Sequence, residues 1–187
     1  MNPMSPIAVL TVLSCGFGLA GCSQDNTDAT AGTKGPTDDP CALVTDAEVG
    51  KSFPGAGRGK RDHSVDKYGI STCTWDSPTN MIVAQIFKAQ GTAHDEVRSR
   101  MDGYVDPMKP GAAAHVEYVT IPGLGDEATI SAVKADEARG ILADGAVLAI
   151  RHGERMAVLF THSLVDGETA PTTRALQSLG ANAAARL

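Results

Sequence analysis

Apolar and polar positions alternate with period two over Ser71–Trp75, which places Cys73 and Trp75 on one face of a strand. Asp76–Asn80 is a cluster of turn formers, and Met81–Phe87 reads as a second strand pairing with the first as a hairpin. The period then changes. Thr92 caps a predicted helix to about Tyr104, with Ala93, Val97, Met101 and Tyr104 forming one apolar stripe. Asp106–Ala113 carries Pro107, Pro110 and Gly111 and reads as loop, followed by a strand over His115–Ile121. Pro122–Ala128 forms a tight turn into a strand ending near Val133.

Gly145–Arg151 and Arg155–Thr161 form a hairpin turning at Gly153-Glu154. In its register Leu148 opposes Leu159 on one face and Val147 opposes Phe160 on the other. Both faces are apolar, so both need cover. Alternatively, Asp144-Gly145 is a two-residue turn that makes Gly140–Ala143 an extra short strand. A last helix starts near Pro171 with the stripe Leu176, Leu179, Ala183 and Leu187. At the other end, Thr45-Asp46-Ala47-Glu48 is a capping box opening a helix to about Ser52, which Phe53-Pro54 closes. Gly55–His63, with Arg58, Lys60 and Arg61, reads as a flexible solvated loop, with anionic lipid headgroups or teichoic phosphates as the sharper alternative. The pattern predicts an α+β domain, a single antiparallel sheet of about five to six strands with about three helices packed on it.

Upstream the pattern is different. Pro6–Leu19 is apolar and uncharged, and at about fourteen residues is shorter than the twenty or so needed to span a bilayer. It ends in Leu19-Ala20-Gly21-Cys22, which resembles the lipobox of bacterial lipoproteins. That resemblance implies a signal peptide over residues 1–21, with Cys22 lipidated as the first residue of the mature chain. Met1–Ser5 departs from the pattern in having no Lys or Arg, consistent with a start upstream of Met1. Two acyl chains make a stable anchor where one is marginal.

Ser23–Pro40 contains no Leu, Ile, Val, Met or aromatic residue and is expected to be a disordered acidic linker, so that residues 22–40 tether a domain over 41–187. As a random coil it spans about 23 Å. The formal net charge is −6, and Asp25, Asp28, Asp38 and Asp39 against Lys34 put half of it in this linker. The domain surface is thus ordinary, and with few aromatics it argues against a nucleic-acid partner.

With Cys22 lipidated and Cys15 removed, Cys41 and Cys73 remain, and an even pair in an exported domain reads as a disulfide. Two separate buried thiols are the alternative. Two lone thiols lack the paired spacing that structural zinc prefers.

Asp39-Pro40-Cys41-Ala42-Leu43-Val44-Thr45 with Ala47-Glu48-Val49, then Cys73-Thr74-Trp75, then Gly123-Leu124-Gly125-Asp126-Glu127-Ala128, together resemble the DUF3558 lipoproteins of actinobacteria. The resemblance runs from Asp39 to the C-terminus. It implies a cell-envelope location and a Cys41–Cys73 pair, and it supplies no reaction. In physical terms Cys73 fastens the first helix to the sheet and Trp75 faces the core. Gly123 and Gly125 allow positive φ, and Asp126 accepts turn amides.

No catalytic, cofactor or metal residue is predicted. Gly123-x-Gly125-x-x-Ala128 has the spacing of a dinucleotide fingerprint, but a strand follows it where a helix is required. Ser131-x-x-Lys134 sits in a strand and lacks its companion motifs. His63, His94, His115, His152 and His162 read as surface histidines. The expectation is a non-enzymatic lipoprotein on the outer face of the cell membrane, held by its lipid anchor on Cys22. It would act as a binding or adaptor module for an envelope protein or wall component. The alternative is a carrier of a lipid or other apolar ligand in an internal cavity.

Overall fold

The computed structural model describes residues 36–164 and 169–187, and in 169–171 the backbone alone. Cys22, the segment expected to be a signal peptide and most of the expected linker lie outside the described residues. Asp39 caps the first turn, accepting the Cys41 N–H at 2.9 Å, and opens α1 (Pro40–Leu43) with proline at the start of the helix, where no donor is missed. Thr45 and Glu48 form the predicted capping box of α2 (Asp46–Ser52). Three strands follow, β1 (Lys60–Asp62), β2 (Ser71–Asp76) and β3 (Asn80–Lys88), then α3 (Ala93–Met101). The chain continues through β4 (Val119–Thr120), β5 (Glu127–Val133), β6 (Gly145–His152) and β7 (Arg155–Ser163) to α4 (Thr169–Ala184).

The strands form one antiparallel sheet in the order β1-β2-β3-β7-β6-β5-β4. The fold is therefore α+β with seven strands and four helices, one strand and one helix more than expected. The predicted hairpin register holds, with Leu148 opposite Leu159 and Val147 opposite Phe160. Alternate residues of β6 and β7 feed two separate cores. Leu148, Ile150, Ala157 and Leu159 pack with α1, α2 and α4, where Leu176, Leu179 and Ala183 are buried. Val147, Ala149, Met156 and Val158 pack with Ala93, Val97 and Met101 of α3 and with Tyr104.

Several local expectations are corrected. Gly55–His63 is not wholly a loop, because Lys60–Asp62 pairs with Thr72–Thr74 as an edge strand. The helix after Thr92 ends at Met101, and Asp102–Tyr104 is a single 3-10 turn. The strand expected over His115–Ile121 shrinks to Val119–Thr120, since Gly111 at φ 82° starts a 3-10 turn over Ala112–His115. Asp144-Gly145 is not a turn: β6 starts at Gly145, where a Cβ would lie 2.1 Å from the Tyr104 ring. Ile141 makes only isolated bridges to Val105 and Asp136.

Arg186 knits the chain ends together. Its guanidinium donates to both Glu48 carboxylate oxygens at 2.7 Å and to the Leu43 carbonyl at 2.9 Å. Its own carbonyl accepts the Thr37 N–H at 2.9 Å. The Arg186 hydrogen bonds, together with those from Thr45, hold the Glu48 carboxyl down at about 2 against partial burial. A depressed carboxylate contributes stability that is complete above its unfolded pKa and fades as pH falls toward the folded one. Glu48→Gln is expected to cost about 2 kcal/mol at pH 7. Its stability should also lose much of the wild-type decline between pH 4.5 and 2, read from urea unfolding midpoints across that window.

Candidate functional site

The two ends of the sheet differ in character. At the end bearing the β6–β7 turn, Arg155 donates to the Leu187 carbonyl (2.6 Å), to the Thr37 carbonyl and to Asp38 Oδ1 (2.7 Å). The chain therefore enters the fold here, with Thr37 and Asp38 already fastened. Nearby, Gly125 has φ 66° and Gly123 φ 75°, as their motif predicts. Asp126 accepts an amide not of its own turn but of the neighbouring one, from Gly153 at 2.6 Å.

Cys41 and Cys73 are joined by a disulfide with their Cα atoms 5.2 Å apart. The bond fastens α1 to β2, and Cys73 is buried beside Trp75 in the α4-side core. Asp46 Oδ1 accepts both the Trp75 indole N–H (2.8 Å) and the Gly59 N–H (2.9 Å). These two donors, with Arg58 in support, hold the Asp46 carboxyl below the usual carboxylate range. Gly59 has no room for a side chain, since a Cβ there would lie 2.7 Å from the Trp75 ring and 2.8 Å from Cys73 Sγ.

The basic cluster is neutralised locally. Lys60 pairs with Asp76 at 3.2 Å, and Arg61 pairs with Asp66 at 3.1 Å while also reaching Ser71 Oγ. His63 also binds Asp66, at 2.7 Å. His94 stacks edge-on against Tyr118, and His162 leans on Tyr104. Among the described residues no group of three His, Cys, Asp or Glu side chains could hold a metal ion. Ser131 is buried and donates to the Glu117 carbonyl at 2.7 Å, while Lys134 is exposed past the end of β5, so the Ser-x-x-Lys pair shares no site.

The opposite end of the sheet is the open one. Beyond β5, Asp136 accepts the Arg139 N–H at 3.1 Å and shapes a 3-10 turn over Glu137–Arg139. Lys109 ties this turn to the preceding loop by donating to the Glu137 carbonyl at 2.6 Å. Two adjoining clefts result. One, of about 410 Å³, is lined by His115, Ala132–Asp136, Arg139 and Ile141. The other, of about 480 Å³, shares Lys134, Ala135 and Ile141 with it and adds Glu137, Leu142 and Asp144. Leu142, which lines the second, is 61% accessible, and Met108 and Leu164, in the loops before β4 and after β7, are 86% and 61% accessible. None of them was singled out in the sequence. Met108 lies between Pro107 and Pro110 and Leu142 follows Gly140, which is a signal of loop and not of site.

No protein-family model, curated protein or solved structure matches the chain.

Gly59→Ala is expected to destabilise the domain by about 1–3 kcal/mol, because neither the indole ring nor the bonded sulfur can yield. Replacing both Cys41 and Cys73 by Ser is expected to cost about 3–4 kcal/mol through the freed loop of the unfolded chain. Guanidinium unfolding of both variants, followed by Trp75 fluorescence, measures these losses.

Proposed function

We propose that this chain is a lipid-anchored envelope lipoprotein of the DUF3558 kind, acting as a non-catalytic adaptor whose partner binds the end of the sheet opposite the entry of the chain at Thr37 and Asp38. The observation that carries this reading is the separation of the two ends. Thr37 and Asp38 enter at Arg155, fifteen and sixteen residues after Cys22. Met108, Leu142 and Leu164 are exposed at the far end, about 25 Å away along the eight-residue β6 at ~3.3 Å per residue. A tether at one end and an apolar surface at the other suit a module that presents a contact face away from a membrane. The disulfide supports export, since such bonds persist in oxidising compartments.

Carriage of an apolar ligand draws no support from the packing. A Cβ on Gly180 would lie 2.4 Å from Leu148 Cδ2, so α4 sits directly on the sheet. The clefts at the open end are lined by charged side chains as well as apolar ones.

Two measurements test the proposal. Cell fractionation is expected to recover the protein with membranes and Cys22→Ser in the soluble fraction, with mass spectrometry finding acyl chains on Cys22. Cytosolic protein still carrying Met1 would overturn it. A photo-crosslinking amino acid in place of Leu142 is expected to give one discrete adduct in intact cells, and the same group in place of Glu154 none. Equal labelling from both positions would remove the contact-face assignment.

A further inference from the structure

The disulfide joins two sulfurs that solvent meets unequally. Cys73 is fully buried, with Arg61 of β1 and Ala84 of β3 as its cross-strand neighbours. The main chain at Gly59 lies over it, since a Cβ there would come within 2.8 Å of its Sγ. Cys41 is only partly buried. It lines an open cleft of about 490 Å³ together with Asp38, Asp39, Gly59 and Arg61. One member of the pair thus borders a surface recess, and the other sits within the α4-side core.

We propose that Cys41 is the site at which a dithiol reductant enters this bond, so that Cys41–Cys73 is a redox-sensitive staple of the folded domain. The inference stands apart from the contact-face assignment. Thiol–disulfide exchange is a displacement, so its rate depends on which sulfur a thiolate can reach and on how readily the other leaves. Access favours Cys41. The reductant's thiolate bonds to Cys41 Sγ, the Cys41–Cys73 bond breaks, and its electron pair goes to Cys73 Sγ, which takes up a proton from water. The second thiol of the reductant, as thiolate, then attacks the reductant's own sulfur in the mixed disulfide and releases Cys41 as a thiolate. Two electrons pass from the dithiol, which becomes a disulfide, to the pair. Burial disfavours the Cys73 thiolate, so it leaves reluctantly and the first step is slow. The fold also selects the class of reductant. β2 and α1 hold Cys73 beside Cys41, where it re-forms the bond against a monothiol, and only a second thiol on the same molecule competes with that return. After reduction α1 has no covalent tie to β2. The upstream chain is then held by the Arg155 and Arg186 hydrogen bonds and by Leu43 and Val44 in the core.

The test uses the full chain with Cys15→Ser and Cys22→Ser, which leaves only the bonded pair. A thioredoxin whose resolving cysteine is replaced by serine serves as the trap. Acid quenching and peptide mapping are expected to place its adduct on Cys41 at least about tenfold over Cys73. With dithiothreitol, the reduction rate is expected to rise in proportion to reductant and to change by less than about twofold in ~1 M urea. The reduced protein is expected to keep one cooperative thermal transition, at a lower midpoint. No adduct, or one found on Cys73 as often as on Cys41, would overturn the assignment. So would a rate that climbs steeply with urea, because the sulfurs would then be reached only through unfolding. A reduced protein with no cooperative transition would remove the staple from the folded domain and leave the bond a condition of folding.

Discussion

Two adjacent strands with no polar face set the architecture. β6 is buried over Gly145–Ile150 and β7 at Met156–Leu159 and Thr161, on both sides of each strand, so neither side of the sheet centre meets water. Burial on this scale is non-directional: it demands cover without specifying which element supplies it. The chain meets the demand with α3 and Tyr104 on one side and α1, α2 and α4 on the other. Everything peripheral is then arranged around a centre that is already closed.

Closure in the middle leaves chemistry to the ends of the strands. At one end, cationic side chains are consumed in fastening the termini: Arg155 holds Thr37, Asp38 and Leu187, and Arg186 holds Glu48 and Leu43. At the other end, turns hydrogen-bond mainly among themselves and leave Lys134, Met108 and Leu142 facing solvent. The same two-sided core thus separates a surface that is spent on stability from one where charged and apolar side chains stay exposed.

The central hairpin, the capping box at Thr45, the cap at Thr92 and the stripe of α4 were legible because each is written in local periodicity or in residues a few positions apart. The outer strands were not. Lys60–Asp62 has no apolar alternation, and only its pairing to Thr72–Thr74 makes it a strand. His115–Ile121 looked like a strand, yet Gly111 turns the chain first and the Ser131 hydroxyl diverts the Glu117 carbonyl. Both outcomes are decided by contacts distant in sequence, where propensity is weak. The candidate site was illegible for the same reason: Met108, His115, Lys134 and Leu142 are brought to one end only by the fold. Asp126 accepts a turn amide as its sequence context implies, and the fold decides which one, since the neighbouring hairpin brings Gly153 within reach of it.

Because Cys41 is bonded to Cys73, the segment between them is a closed covalent loop that includes α2 and β1. Tension applied to the chain upstream first meets the Arg155 contacts at Thr37 and Asp38, and then passes through sulfur directly into β2. While the disulfide holds, the loop cannot be pulled out lengthwise, so α2 and β1 add nothing to the extension of the chain under load. Mechanical load is delivered instead to a strand hydrogen-bonded on both sides, by β1 and β3, within the sheet.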